Sequence, residues 1–598
     1  MQCAPSLDQL ETYPIEFLRL ILTAHGVLYD EDYDRYDVLA LTLLAFKIDC
    51  PRYSKKEIEN IKQGKNIPSS DPNQPLVVSR LFPLQRKNVD EMLSIIKRHY
   101  VLLNTSDPGS GKTIMSFAFS SLADKSIYVV TKANIVPSWA KTADFYKVDN
   151  LIGITSYELG VRGKEYKLGS YYKKDKQWKA VPVDSRYVTR EETTRKGAKK
   201  RAALTWKGLK NTIIVFDEPH NSKNTSSYAH DLLIACYEFV KRESDKGNIL
   251  LLLGATPTDK STNIGYLEHV LELKKETRRE KLRRAEDDTP FLRLHRILYD
   301  PEDPRATRVS KEALEEQLGI SPPVTVTIQA YSMSPKAARV IEEQNQIIAD
   351  LIRGIRTTKA RTTLKEIQDA RRIIELQKVP TFVNLAVMAL EQGRSVIIFV
   401  EFYNTSNALA EQLEKYHPRL LRGKTAKKQR PLIMEQFQYG EFDLLIAHHA
   451  VAREGISLHD IVGGHPRTVI ISPVWGGITF VQVLGRADRL CRLSDTEQLV
   501  VYAQSTDPEN PGWDARVAEV MANKIKNIKE MNVGEAAEDF MKTLYVGATE
   551  VKNVDYRPKV VKLSSKRYVG ENIPSSEEAE AEVEFEQESG LRDEPDSP

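Results

Sequence analysis

Two stretches of this chain carry residue types whose spacing suits phosphate chemistry. In Asn104-Thr-Ser-Asp-Pro-Gly-Ser-Gly-Lys-Thr113, Gly109, Ser110 and Gly111 let the backbone turn its N–H groups toward an anion. Lys112 would reach the β- and γ-phosphates of a nucleotide, and Thr113 would offer its hydroxyl to Mg2+. Ser106 stands where the G-x-x-x-x-G-K-[ST] pattern has its first glycine. Farther on, Asp217-Glu-Pro-His220 supplies adjacent carboxylates. An aspartate at a strand end holds Mg2+ through water, and the glutamate beside it orients and deprotonates an attacking water. Gln85, just upstream of the glycine-rich loop, has an amide able to pair with an adenine edge. The cofactors implied are ATP and Mg2+.

Such groups need strands that end at a common edge. Apolar Tyr100–Leu103 precedes the glycine-rich loop, and the helix-favouring Ile114–Phe119 follows it. Ser126–Thr131, Leu151–Ser156, Asn211–Phe216 and Ile249–Leu253 have the same buried-strand pattern, each followed at once by polar or turn residues. Ser395–Val400, Phe442–Ala447 and Thr468–Ser472 repeat it in the second half, which has no second glycine-rich loop.

The chain has 598 residues, 41% of them hydrophobic, which is too many for one core; roughly three to five domains are expected. Cys3, Cys50, Cys236 and Cys491 form no C-x-x-C pair, which argues against a zinc module and a disulfide framework and for a reducing compartment. The N-terminal stretch lacks a basic region followed by an apolar one, and no uncharged apolar run approaches membrane-spanning length. An intracellular protein with no membrane segment is expected, in nucleus, cytoplasm or virion.

The ordered set TSDPGSGKT, VVTKANIVPSW, ITSYE, DEPHNSKN and LLGATPT, followed by EGISLHD and QVLGRADR, resembles superfamily 2 helicases and translocases, most of all their Swi/Snf-type branch. ATPases of this class in large DNA viruses are a looser analogy. The resemblance covers about 80–270 and 380–505 and implies two RecA-like lobes that share one nucleotide. It makes Arg486 and Arg489 arginine fingers, a role worth ~10³–10⁵ in rate. It places Gly455 and Ser457 in the same cleft and on the polymer path, and gives His220 the task of linking nucleotide to polymer. The partner implied is nucleic acid. Trp139, Lys223-Asn224 and Trp475 favour DNA, with RNA as the alternative.

The expected fold is α/β, with two RecA-like parallel-sheet lobes, a helical insertion between them and a small helical N-terminal region. A helical region and linker would occupy 1–75, and lobe 1 would run from 76 to 270. A helical basic insertion would fill 271–378, with Arg353, Arg356, Lys359, Arg361, Lys365, Arg371 and Arg372 at near-helical spacing. Lobe 2 would span 379–510, a C-terminal helical brace 511–570 and a disordered acidic tail 571–598. Within lobe 1, residues 161–210 form a Lys-, Arg- and Tyr-rich insertion suited to phosphate contact and base stacking. The activity expected is ATP-driven movement along DNA, in transcription or replication. The competing readings are an RNA helicase and a nucleic-acid-binding structural component with a vestigial ATPase.

Overall fold

The computed structural model describes residues 75–167, 181–191, 203–282, 289–318, 322–354, 360–426, 429–452, 456–474, 476–489, 492–505 and 512–534. The expected N-terminal helices, the acidic tail, Gly455, Trp475, Arg356, Lys359 and the lysine-rich stretches at 171–174 and 195–201 lie outside these residues.

Lobe 1 is built on β1 (Val101–Asn104), β2 (Ser126–Thr131), β3 (Leu151–Ser156), β4 (Lys164–Tyr166), β5 (Pro182–Asp184), β8 (Thr212–Asp217), β9 (Ile249–Leu253) and β10 (Ala306–Thr307), in the order β10-β1-β9-β8-β2-β3-β4-β5. From β10 to β3 all pairings are parallel; β4 and β5 extend the edge antiparallel. β6 (Val188–Glu191) and β7 (Ala203–Trp206) form a separate antiparallel hairpin, so the described part of the 161–210 insertion is a β-extension of the lobe. Trp206 anchors it: the buried indole donates to the Leu232 carbonyl and meets Tyr128 edge-on.

Helices cover both faces of this sheet, and the two-residue period of a strand divides its side chains between them. Leu102, Ile127, Val129, Ile213 and Val215 join one core with Met92 of α1 (Pro83–Ile95), Phe119 of α2 (Lys112–Leu122) and Trp139 of α3 (Val136–Phe145). Leu103, Tyr128, Val130, Ile214 and Phe216 join the other with Leu233 and Cys236 of α4 (Tyr228–Arg242).

Lobe 2 is a wholly parallel sheet, β11-β16-β15-β12-β14-β13, from β11 (Val324–Tyr331), β12 (Ser395–Val400), β13 (Arg419–Leu421), β14 (Leu444–His448), β15 (Arg467–Ile471) and β16 (Thr496–Ala503). The same alternation holds, with Ile397 and Phe399 on one face and Val396, Ile398 and Val400 on the other.

The segment 271–378 is not the uniform helical insertion expected. β10 pairs with β1 and belongs to lobe 1, and β11 is the edge of the lobe 2 sheet, which therefore begins near 324 instead of 379. Short or polar strands such as Val324-Thr-Val-Thr-Ile328 escape a pattern search for fully buried runs; β11 has a single buried residue because it sits at an edge. Between the two strands lies α5 (Lys311–Leu318), and after β11 come α6 (Pro335–Gly354) and α7 (Ala360–Gln377), which pack together through Ile341, Ile348, Ala370 and Ile374. Of the basic residues at near-helical spacing, Arg371 is paired with Glu401 and stacked on Phe402 and Trp513.

α8 (Val379–Glu391) packs on lobe 2 through Val379, Phe382 and Ala386. Among the described residues no single helix is long and apolar enough to cross a membrane. α9 (Gly477–Ala487) carries Arg486, and the last described helix, α10 (Gly512–Val533), spans both lobes. Its Val517, Met521 and Ile525 lie in the lobe 2 core, whereas Met531 lies in the lobe 1 core. The C-terminal brace thus ties the lobes to each other rather than supporting lobe 2 alone.

Candidate active site

The parallel register brings the chemistry together. Asn104 and Asp217 both align with Leu253 of β9, so the loop after β1 and the carboxylates after β8 flank one strand end. The Asn104 side chain shapes the loop entry, accepting from the Ser106 N–H at 3.0 Å and donating to Asn88 at 2.8 Å. Gly109 (φ 85°) and Gly111 (φ 87°) are left-handed, a conformation that costs glycine nothing. A Cβ on Gly111 would lie 2.5 Å from Gln85 Nε2, so the loop closes to a cradle that only glycine permits.

Gln85 braces this cradle. Its Oε1 accepts from the Phe82 N–H (3.0 Å) and its Nε2 donates to the Ser110 carbonyl (2.8 Å), both from a buried position. The adenine pairing expected of Gln85 would have to use the second N–H and second lone pair of an amide already engaged at both ends. Lys112 folds over the loop and donates to the carbonyls of Ser106 (2.8 Å) and Asp107 (3.1 Å). Thr113 is half-buried in the first turn of α2, and the buried hydroxyl of Ser110 has no hydrogen-bond partner.

Asp217 is oriented by two donors that converge on one oxygen, the Thr131 hydroxyl (2.8 Å) and the Trp139 indole N–H (3.0 Å). Sequence reasoning used Trp139 only as a family mark and passed over Thr131. Glu218 takes a left-handed conformation (φ 59°) uncommon for a residue with a side chain. Gly254 packs beneath it: a Cβ there would stand 2.8 Å from Pro219 Cδ and 3.7 Å from Glu218 Oε2. His220 Nδ1 comes within 3.1 Å of Glu218 Oε2, poorly aligned for a hydrogen bond. Burial and the adjacent Glu218 charge push Asp217 up to about 6, against the pull of its two donors and Lys112. Burial would raise Glu218 as well, but His220, Lys112 and Lys132 outweigh it and hold that carboxyl down to about 2.

Lobe 2 completes the site. A Cβ on Gly485 of α9 would lie 3.7 Å from Pro108 Cβ, which places α9 directly against the glycine-rich loop. Arg486 and Arg489 are charge neighbours of Glu218, and Arg489 also of Lys112. Both guanidinium groups reach the Ile456 carbonyl, at 3.2 and 3.4 Å, yet the Nε of each is buried without a hydrogen-bond partner. Burial and the mutual repulsion of the two arginines press the Arg486 pKa down. An anion between them would relieve that strain. Ser457, half-buried, follows Ile456 in the same segment. Lys223 pairs with Asp259 at 3.1 Å, so it and Trp139 are both engaged within the protein.

A left-handed glycine cradle, unpartnered buried guanidinium N–H groups and adjacent carboxylates fit a nucleoside triphosphate with Mg2+. Gly109, Ser110, Gly111 and Lys112 would hold the phosphates; Thr113 and Asp217 would hold the metal. Among the described residues no cluster of three or more His, Cys, Asp or Glu offers a protein-only metal cage.

Fold and site define a two-lobed P-loop NTPase. The family described as "Type III restriction enzyme, res subunit" matches residues 78–259, and "Helicase conserved C-terminal domain" matches 377–491. A protein of Acanthamoeba polyphaga mimivirus named as an ATP-dependent RNA helicase is 27% identical over 498 residues, 80% of this chain and 88% of its own. Among solved structures, the Sulfolobus solfataricus SWI2/SNF2 ATPase core in complex with dsDNA is 15% identical, covering 79% of this chain and 99% of its own, at a TM-score of 0.28. The Pyrococcus furiosus Hef helicase domain is 12% identical, covering 69% and 94%, at 0.34. The two family models and the mimivirus relative support a superfamily 2 helicase or translocase and a nucleic-acid-dependent ATPase.

Proposed function

We propose that this ATPase is a motor that moves along nucleic acid inside the cell, in transcription or replication, with duplex DNA as its track. The observation that supports it best is the composite site: Arg486 and Arg489 of one lobe lie in charge contact with Glu218 of the other. In the mechanism we infer, Lys112 and the cradle N–H groups fix the β- and γ-phosphates, and Asp217 and Thr113 would hold Mg2+, which would supply neutralisation of phosphate charge. Glu218, ionised at neutral pH, takes the proton of the attacking water, and Arg486 and Arg489 stabilise charge on the transferring phosphoryl group. Loss of the γ-phosphate removes the anion that draws the arginines in, and lobe opening and closing would step the chain along a strand.

The choice of DNA rests on the Swi/Snf resemblance. The mimivirus relative's name favours RNA as the second reading. ATP hydrolysis measured without polymer and with duplex DNA, single-stranded DNA or RNA separates them. Stimulation by duplex DNA, with displacement of a third strand from a triplex, supports the proposal. Stimulation by RNA alone overturns the track, and no hydrolysis under any condition would support the vestigial, structural reading.

A further inference from the structure

The linker between the lobes passes beside the glycine-rich loop before entering lobe 2, and it carries charge to both. The Asp107 N–H donates to the Val309 carbonyl (3.1 Å), and the Asp107 carboxylate accepts from Arg308 through both oxygens, each at 3.0 Å. The same carboxylate accepts the backbone N–H of Lys311 at 3.0 Å, at the start of α5. From that first turn the Lys311 ammonium reaches across to Asp488, the residue next to Arg489. Asp488 also pairs with Arg492 at 2.9 Å, and Arg492 with Glu315 of α5. Leu493 of lobe 2 packs with Val309 and Leu314 against the lobe 1 core, which fixes α5 between the lobes.

The Asp107–Arg308 pair and the cluster of Lys311, Asp488, Arg492 and Glu315, joined through the Lys311 backbone, are largely buried: Arg492 is 3% exposed, Lys311 11% and Asp488 25%. Arg486 and Arg489 stand outside both. Asp488 is nevertheless the nearest anion to Arg489 in sequence and the first to favour its charge. Without Lys311 the Asp488 carboxylate would keep Arg492 alone, and, held by one cation instead of two, it would be able to turn toward Arg489.

We propose that Lys311, a residue outside every motif, is a positioning residue for ATP hydrolysis: by holding the Asp488 carboxylate it keeps that anion off Arg489 and leaves the arginine's charge for the phosphoryl group. The inference rests on Arg489 acting as an arginine finger. It also gives the linker a second task, since the helix whose N–H is capped by Asp107 of the cradle holds the finger's neighbour.

The test uses steady-state ATP hydrolysis by the full chain, with Mg2+ and nucleic acid present, for five variants. Lys311→Met should lower kcat about tenfold with KM for ATP changed less than about twofold, the pattern of a lost transition-state interaction. Lys311→Arg should keep near wild-type turnover. The deciding variant is Lys311→Met with Asp488→Asn. With no carboxylate left to capture Arg489, kcat should rise several-fold above that of Lys311→Met alone. A network that serves only as packing predicts the opposite, a double variant as slow as Lys311→Met or slower, and that result overturns the inference. If Lys311→Met does not fold, Lys311→Gln, which keeps a donor toward Asp488 without the charge, carries the same comparison. Arg489→Ala runs in parallel: wild-type kcat there defeats the finger reading itself, whereas a large loss there beside normal Lys311→Met turnover defeats only the role of Lys311.

Discussion

The Trp139 indole and the Asp217 carboxylate meet at 3.0 Å, on the same oxygen that accepts the Thr131 hydroxyl. One of the two buried tryptophans of the lobe 1 core therefore ends in a hydrogen bond to the residue that would hold the metal. Trp139→Phe should keep the edge-on packing against Phe117, now at a centroid separation of 5.3 Å, and lose only the donor. A hydrogen bond to a charged group is worth about 1.5–3 kcal/mol, so the Mg2+ concentration for half-maximal hydrolysis should rise by about tenfold or more. Because the lost bond favours ionised Asp217, the defect should be larger at pH 6 than at pH 8. An unchanged Mg2+ midpoint at both values would leave the indole a purely structural role.

Among the described residues, Lys112 donates only to the carbonyls of its own loop, Ser106 and Asp107. Lys112→Ala should lower ATP turnover by at least ~10²–10³ while the melting temperature stays within a few degrees of wild type. A folded variant that turns over ATP at the wild-type rate would show that the cradle is misassigned.

Glu218 is held ionised by His220, Lys112 and Lys132 despite its burial. Glu218→Gln keeps the shape and removes the base, so the variant should bind ATP and Mg2+ normally and hydrolyse slowly, accumulating the closed, nucleotide-bound state. Equilibrium binding of a fluorescent ATP analogue checks this. Lost binding would make Glu218 a ligand instead of a base.

Lobe 2 should be acid-labile through two histidines. Burial, then His449 and Arg422, hold His448 down to about 3; burial and a ring of cations led by Arg489 do the same to His459. Both remain neutral in the fold, whereas in the unfolded chain they take up protons near 6.5. Between about 6.5 and 3 the unfolded state therefore binds more protons, and stability falls as pH drops through that window. By pH 5 the loss is roughly 2 kcal/mol per histidine. His448→Gln and His459→Gln should each flatten the fall in melting temperature between pH 7 and pH 5. Parallel curves for variants and wild type would assign the acid sensitivity elsewhere.

Much of this protein was legible before its structure. Lys112, Thr113, Asp217 and Glu218 sit at strand ends because buried strands and glycine-rich turns are written locally, in runs of apolar residues and in positions that tolerate a left-handed backbone. The two parallel sheets follow from the same runs. What local pattern could not carry is any pairing set by how the lobes dock. The Lys311 ammonium finds Asp488 across 177 positions and its N–H finds Asp107 across 204, while within its own segment Lys311 resembles any helical lysine. β10 and β11 read as insertion because a two-residue strand and an exposed edge strand lack an apolar signature. The amide of Gln85, whose adenine-pairing potential was all that sequence suggested, also braces the loop, since a buried amide takes the backbone partners that tertiary packing sets beside it. Residue types specify which chemistry is available; the closure of one lobe on the other determines which charges face the phosphate and which neutralise each other, because only docking sets the distances on which Coulomb energy depends.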